Sequence, residues 1–260
     1  MKTSEKYPLP TSAECHAKPA SLVSVRDLAE FEMVYEAGVD IVDLKEPRSG
    51  ALAPTDYETW SSVSVFFDGR EKQKARLTNG SAPLLSAALG EKKEAFAVAG
   101  GLPSIFDFAK AGPSGITNKV QLSDFWNRLR DQLDPDIELV AVAYADWEIS
   151  HSMHPGEVIE LAVAQGFNRF LIDTFTKNGC SSVDYVGLEE LIQLRKFASK
   201  EGVWFAMAGS VGVSDVEMLN RRGVTPDCYA VRGVVCSQDR STEICSERLR
   251  WWQTFLSDTE

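Results

Sequence analysis

Asp43-Leu-Lys45, Asp173-Thr-Phe-Thr-Lys177 and a lone Lys110 place three lysines and two aspartates at or just past the ends of apolar runs. A lysine in apolar surroundings holds its proton poorly, and the neutral amine that results attacks carbonyl carbon. Carboxylates beside it can take and return protons. Together these types point to Schiff-base or enolisation chemistry. Each residue alone has a plainer reading, because a single lysine at a strand end is most often solvated and a single aspartate there caps or pairs. Only their convergence separates the two readings, and convergence depends on the elements that carry them.

Eight apolar runs read as strands: Ala20–Val25, Asp40–Leu44, Pro83–Leu89, Ser104–Lys110, Glu138–Tyr144, Arg169–Asp173, Val203–Ala208 and Cys228–Arg232. Residues 26–37, with apolar positions at helical spacing and Gly38 as a stop, form the first intervening helix. Further helices are expected near 54–67, 92–101, 120–132, 155–166, 187–201, 213–222 and 240–257. Strands that are apolar throughout, each followed by a helix, imply a parallel sheet covered by helices, and eight such units in about 250 residues fit a closed (β/α)8 TIM barrel. A doubly wound open sheet is the alternative, but no GxGxxG follows the first strand and no GxxxxGK[ST] occurs. The predicted organisation is a short arm over residues 1–18, rich in Pro and polar residues, and one barrel over 19–260.

In a barrel the strand C-termini share one face, where active sites of this architecture are built. Alternation along strand 2 then turns Asp43 and Lys45 to the same side, strand 4 adds Lys110, and strand 6 ends in Asp173 with Lys177 in the loop beyond. Ala208-Gly209-Ser210 follows strand 7, and Arg232-Gly233 follows strand 8. Those two loops either cradle a phosphate, with glycine admitting close backbone approach and Arg232 adding charge, or simply make tight βα turns.

A net charge of −11 argues against nucleic-acid or anionic-membrane partners, so any phosphate contact should be a small, focused site. The five cysteines contain no CxxC and the three histidines complete no zinc pattern, which leaves metal sites unexpected. His151 and His154 flank a helix start, where solvated or capping roles fit best. Without a signal-type core or a bilayer-length apolar run, a cytoplasmic protein is expected. Trp251 and Trp252 read as packing on the barrel or on a second subunit, and a homo-oligomer is expected.

Leu22–Val25, Ala37–Leu52, Phe108–Gly112, Leu171–Gly179, Ala208–Ser210 and Val231–Cys236 resemble the (5-formylfuran-3-yl)methyl phosphate synthases of methanofuran biosynthesis, over about residues 20–237. The resemblance implies a (β/α)8 enzyme that condenses two molecules of glyceraldehyde 3-phosphate, a triose phosphate, into a furan aldehyde phosphate without metal or organic cofactor. It makes Lys45 the Schiff-base lysine, with Asp43, Lys110, Asp173 and Lys177 as acid-base partners and Gly209, Ser210, Arg232 and Gly233 as phosphate contacts. The N-terminal arm, a basic stretch from Gly69 to Gly80 and Ala88, in place of a hydroxyl residue, depart from the family pattern. Two other functions share parts of this signature: a different class I aldolase or transaldolase, and a non-catalytic sugar-phosphate sensor.

Overall fold

The computed structural model describes residues 18–77 and 82–258. Eight parallel strands close in sequence order: β1 (Ala20–Val25), β2 (Ile41–Leu44), β3 (Leu84–Glu91), β4 (Phe108–Gly112), β5 (Glu138–Tyr144), β6 (Arg169–Asp173), β7 (Trp204–Met207) and β8 (Cys228–Val231). The helices around them are α1 (Leu28–Glu36), α2 (Tyr57–Leu77), α3 (Lys92–Val98), α4 (Lys119–Arg130), α5 (Pro155–Ala164), α6 (Ser182–Val186), α7 (Leu188–Lys200), α8 (Val213–Arg221) and α9 (Ser246–Ser257). This is the (β/α)8 barrel expected from the strand count. The arm expected over residues 1–18 lies outside the described residues except for Lys18, whose Nζ donates to Ser257 Oγ at the end of α9.

Local chemistry sets the helix starts. Asp27 accepts the Glu30 N–H ahead of α1, Asn118 accepts that of Gln121 ahead of α4, and Ser181 and Asp184 form a reciprocal capping box on α6. His154 caps α5 through Nδ1, with Pro155 at the first helical position, and its Nε2 lies 3.1 Å from Glu190.

Three boundaries and one added helix differ from expectation. Strand β4 begins at Phe108 because Pro103–Phe106 closes a turn, with the Phe106 N–H on the Pro103 carbonyl. Helix α2 runs on through Gly69 to Leu77, so the basic stretch begins as helix, and residues 78–81 lie outside the described residues. The helix expected at 187–201 is found as α7, and Gly187, at φ 79°, separates it from the short, unanticipated α6. Helix α9 starts only at Ser246, because residues 237–243 form an excursion closed by an antiparallel bridge between Cys236 and Ile244.

The apolar packing is in two layers. Outward strand residues such as Val23, Val42, Phe170 and Phe205 pack under the helices. Inside the barrel, Leu22, Ile41, Phe108, Val142, Leu171 and Cys228 fill the cross-section. Its lower end is plugged by Arg169, which pairs with Glu138 at 3.2 Å and lies over the rings of Phe108 and Trp204. Towards the upper end the inward positions of β7 and β8 are small, with Ala206 on β7, Ala208 just past it and Ala230 on β8 in place of large side chains. Such residues cannot fill a barrel's interior, and a cavity of about 460 Å³ opens there. Among the described residues, no helix is long and apolar enough to cross a membrane.

Candidate active site

Strand register builds the first half of the site. Ser24, Asp43 and Ser86 are neighbours across β1, β2 and β3, and parallel partners face the same side of the sheet. Asp43 is fully buried; its Oδ2 accepts from Ser24 Oγ at 2.9 Å and its Oδ1 takes a short hydrogen bond from Lys110 Nζ. Lys110 also donates to Ser86 Oγ at 3.0 Å. Two buried charges are thus paired and hydrogen-bonded, the condition under which a dry environment tolerates them.

Asp173 closes β6 and holds the second half. Its Oδ1 accepts from Lys177 Nζ at 2.8 Å and from the Thr174 N–H at 2.8 Å. Burial alone would raise its pKa, but the Lys177 and Lys45 charges and these donors outweigh it, so the carboxyl lies below its ordinary range. Its Oδ2 is buried without a hydrogen-bond partner and faces Lys45 Nζ at 3.8 Å. The loop that presents Lys177 is itself anchored, since the carboxylate oxygens of Asp146 accept from Phe175 N and Thr176 N, each at 2.7 Å.

Lys45 follows β2 by one residue, tied by its N–H to the Val25 carbonyl at 2.9 Å. Desolvation pulls its pKa down from 10.5 to about 8; Asp173 and Asp43 oppose that shift, whereas Lys177 and Lys110 reinforce it. Among the described residues, Lys45 is the buried lysine without a hydrogen-bonded carboxylate, and a pKa of about 8 leaves part of its population as neutral amine near pH 7. All five residues picked out by type and spacing line one cavity: Asp43, Lys45, Lys110, Asp173 and Lys177.

Gly209, Ser210, Arg232 and Gly233 line the same cavity on its β7–β8 side. Gly209 has φ +81°, and a Cβ there would lie 2.2 Å from Ser182 Oγ and 2.7 Å from Thr174 N, so only glycine fits. Ser210 also adopts the left-handed region, at φ 58°. Among the described residues, the N–H groups of Gly209, Ser210, Gly233 and Val234 have no protein acceptor. Arg232 sits differently from the sequence expectation. Its guanidinium donates twice to Glu30, and also to the carbonyls of Ser24, Arg240 and Thr242, so all five N–H donors are taken by protein.

Sequence reasoning passes over several groups. Ser24 and Ser86 carry a usable signal, since both fall on the inward phase of their strands at the level of Asp43. Arg240, from the excursion before α9, lines the cavity but lies in a segment that reads as helix. Glu91, at the end of β3, and Tyr144, at the end of β5, share a short hydrogen bond across Gly112 of β4; burial raises the Glu91 carboxyl, against the pull of the Tyr144 bond, and raises the Tyr144 phenol well above its ordinary value. Among the described residues, no three His, Cys, Asp or Glu side chains cluster as a metal site would need.

Solved structures share this architecture at low identity. Phosphoribosylanthranilate isomerase from Thermotoga maritima matches at TM-score 0.56 and 10% identity, over 92% of this chain and 99% of that one. KGPDC from Streptococcus mutans matches at TM-score 0.53 and 13% identity, over 93% of this chain and 98% of that one. The sequence relatives are nearer. The (5-formylfuran-3-yl)methyl phosphate synthase of Methanosarcina acetivorans is 31% identical over 234 residues, covering 87% of this chain and 94% of the relative. That of Archaeoglobus fulgidus is 29% identical over 235 residues, with the same coverage. The 4-HFC-P synthase family model matches residues 21–253, from the first barrel strand into the last helix, and this chain belongs to that family.

Proposed function

We propose that this pocket makes (5-formylfuran-3-yl)methyl phosphate, for methanofuran biosynthesis, by condensing two molecules of glyceraldehyde 3-phosphate through an imine on Lys45. The observation that carries the reading is the Lys45–Asp173 pair: an amine with pKa drawn down to about 8, and 3.8 Å away a buried carboxylate oxygen with no hydrogen-bond partner. One group is ready to attack a carbonyl and the other to accept a proton beside it.

Lys45 Nζ, as the free amine, adds to the aldehyde carbon of the first triose phosphate, and water leaves as the imine forms. The protonated imine draws electrons from the neighbouring carbon, whose proton passes to Asp173 Oδ2. The enamine carbon then attacks the aldehyde of the second molecule, and Lys110 or Lys177 protonates the alkoxide that develops. Ring closure, eliminations and hydrolysis of the imine return Lys45. Two triose phosphates equal the furan product plus one inorganic phosphate and two waters. The balance closes without electrons gained or lost, so the overall reaction calls for no redox cofactor. Main-chain donors at Gly209, Ser210 and Gly233 are suited to phosphate oxygens.

The test is to incubate the protein with glyceraldehyde 3-phosphate, reduce with borohydride and map the adduct by peptide mass, while a parallel sample is followed for a furan chromophore. Adduct on Lys45 together with furan is expected. Adduct without furan would turn the reading to a class I aldolase, and no adduct on a folded protein would overturn the imine altogether.

A further inference from the structure

Five cationic side chains line the cavity: Lys45, Lys110, Lys177, Arg232 and Arg240. Lys110 is locked to Asp43, Lys177 to Asp173 and Arg232 to Glu30, and Lys45 faces Asp173. Arg240 differs from all of these, because among the described residues it has no ion pair and its guanidinium makes one hydrogen bond, from Nη2 to the Gly50 carbonyl at 3.1 Å. Its neighbour Asp239 also lines the cavity but is turned back, accepting from the Ser241 N–H at 2.8 Å and the Ser241 hydroxyl at 2.6 Å. A half-buried guanidinium with four N–H groups not committed to protein is suited to an anion, since its fork matches two oxygens of a phosphate.

Its placement is determined by the excursion at 237–243, which crosses the barrel mouth as a strap. The carbonyls of three consecutive residues are held by arginines from elsewhere: Arg240 by Arg232 Nε at 2.6 Å, Ser241 by Arg26 at 2.8 Å and Arg48 at 3.1 Å, and Thr242 by Arg232 Nη2 at 2.9 Å. The strap also lies against the β8 turn, where a Cβ added to Gly233 would come within 3.8 Å of Arg240 Cβ. Arg240 therefore projects beside the unpaired N–H groups of Gly233 and Val234.

We propose that Arg240 is the guanidinium that grips the phosphate of the triose phosphate, and that Arg232 is a positioning residue that holds the strap carrying it. The inference rests on reading the cavity as a triose-phosphate site, and moves the charged phosphate contact from Arg232 to Arg240.

Glycerol 3-phosphate, which carries the phosphate but no aldehyde, separates this inference from the imine chemistry. Calorimetric titration is expected to show binding to the native protein, weakened by about tenfold or more in Arg240→Ala and partly restored in Arg240→Lys, as befits loss of a charged hydrogen bond. A second readout is borohydride trapping with glyceraldehyde 3-phosphate against unphosphorylated glyceraldehyde. Arg240→Ala should lose the preference for the phosphorylated aldehyde and leave trapping of the plain one unchanged, whereas general damage to the pocket would lower both. Unchanged glycerol 3-phosphate affinity in a folded Arg240→Ala protein, absence of binding by the native protein, or equal loss with both aldehydes would overturn the assignment. Should no Lys45 adduct form with either aldehyde, the imine reading fails and the titration still decides Arg240.

Discussion

Lys45 Nζ and Asp173 Oδ2 stand 3.8 Å apart, close enough for charge to be felt and too far for a hydrogen bond. Every other lysine of the site is hydrogen-bonded to a carboxylate. The difference marks Lys45 as the amine free to react. Lys45→Ala should lower turnover by on the order of 10⁴-fold or more and abolish borohydride trapping, in line with removal of a nucleophile. Lys45→Arg should fail to restore either, because a guanidinium stays protonated and forms no imine. Turnover near the native rate in either variant, with the fold confirmed by circular dichroism, would remove Lys45 from the chemistry.

The depressed pKa gives a pH profile with a definite sign. With a pKa of about 8, roughly one Lys45 in ten is neutral at pH 7, against about one in three thousand for an ordinary lysine near 10.5. The rate of imine trapping should therefore climb from pH 6.5 and level off above about pH 8.5. A profile still rising steeply at pH 10 would mean an unperturbed lysine and a different nucleophile. Rapid-quench trapping across that range, at saturating aldehyde, makes the measurement.

Asp43 and Lys110 test the idea that this layer is a paired electrostatic unit. Asp43→Asn leaves the Lys110 ammonium in a site where its side chain is 4% exposed. The expected cost is about 3 kcal/mol, the penalty for orphaning a buried charge. Asp43→Asn with Lys110→Met should recover much of that loss, because both charges leave together. Denaturant unfolding of the two proteins gives the comparison, and a single variant as stable as the native chain would show that water reaches Lys110.

The strand-borne residues are legible in the sequence for a simple reason. In a barrel of eight short parallel strands, period-2 alternation and the C-terminal ends fix the face to which Asp43, Lys45, Lys110 and Asp173 point, so residue type and strand count suffice to bring them together. Loop-borne groups carry no such period. Arg240 is invisible to it because the excursion at 237–243 is set by one bridge, Cys236 to Ile244, and by long-range bonds from Arg26, Arg48 and Arg232. The pairing of Arg232 is hidden for the same reason: its acceptor Glu30 sits on α1, 202 positions away in sequence. Helix ends set by caps fall near expectation, whereas α6 escapes it because it is only five residues long and a Gly187 break follows it.

Asp146 ought to control the loop that carries Lys177. Its carboxylate takes the N–H groups of Phe175 and Thr176 in a site 3% exposed. Asp146→Asn presents an amide NH₂ to one of those donors and should cost about 1–3 kcal/mol locally, the penalty for an unsatisfied buried group. Hydrogen exchange at Phe175 and Thr176 should quicken, and kcat should fall as Lys177 loses its fixed position on Asp173. Unaltered exchange at those two amides would show that the loop holds itself.

Arg232 and Glu30 separate a ligand from a buttress. Both side chains are at most 5% exposed, and the pair is bidentate, with Arg26 as a second partner of Glu30 at 3.1 Å. Arg232→Lys keeps one charge but cannot reach Glu30, Ser24, Arg240 and Thr242 at once, because an ammonium has three donors where the guanidinium has five. Removing such a buried partner costs about 3–5 kcal/mol, and Arg26 should hold the loss near the lower figure. Unfolding should therefore shift clearly, and proteolysis between 237 and 243 should accelerate as the strap loses two of its anchors. The opposite pattern, a raised KM with native stability and an intact strap, would return Arg232 to the phosphate.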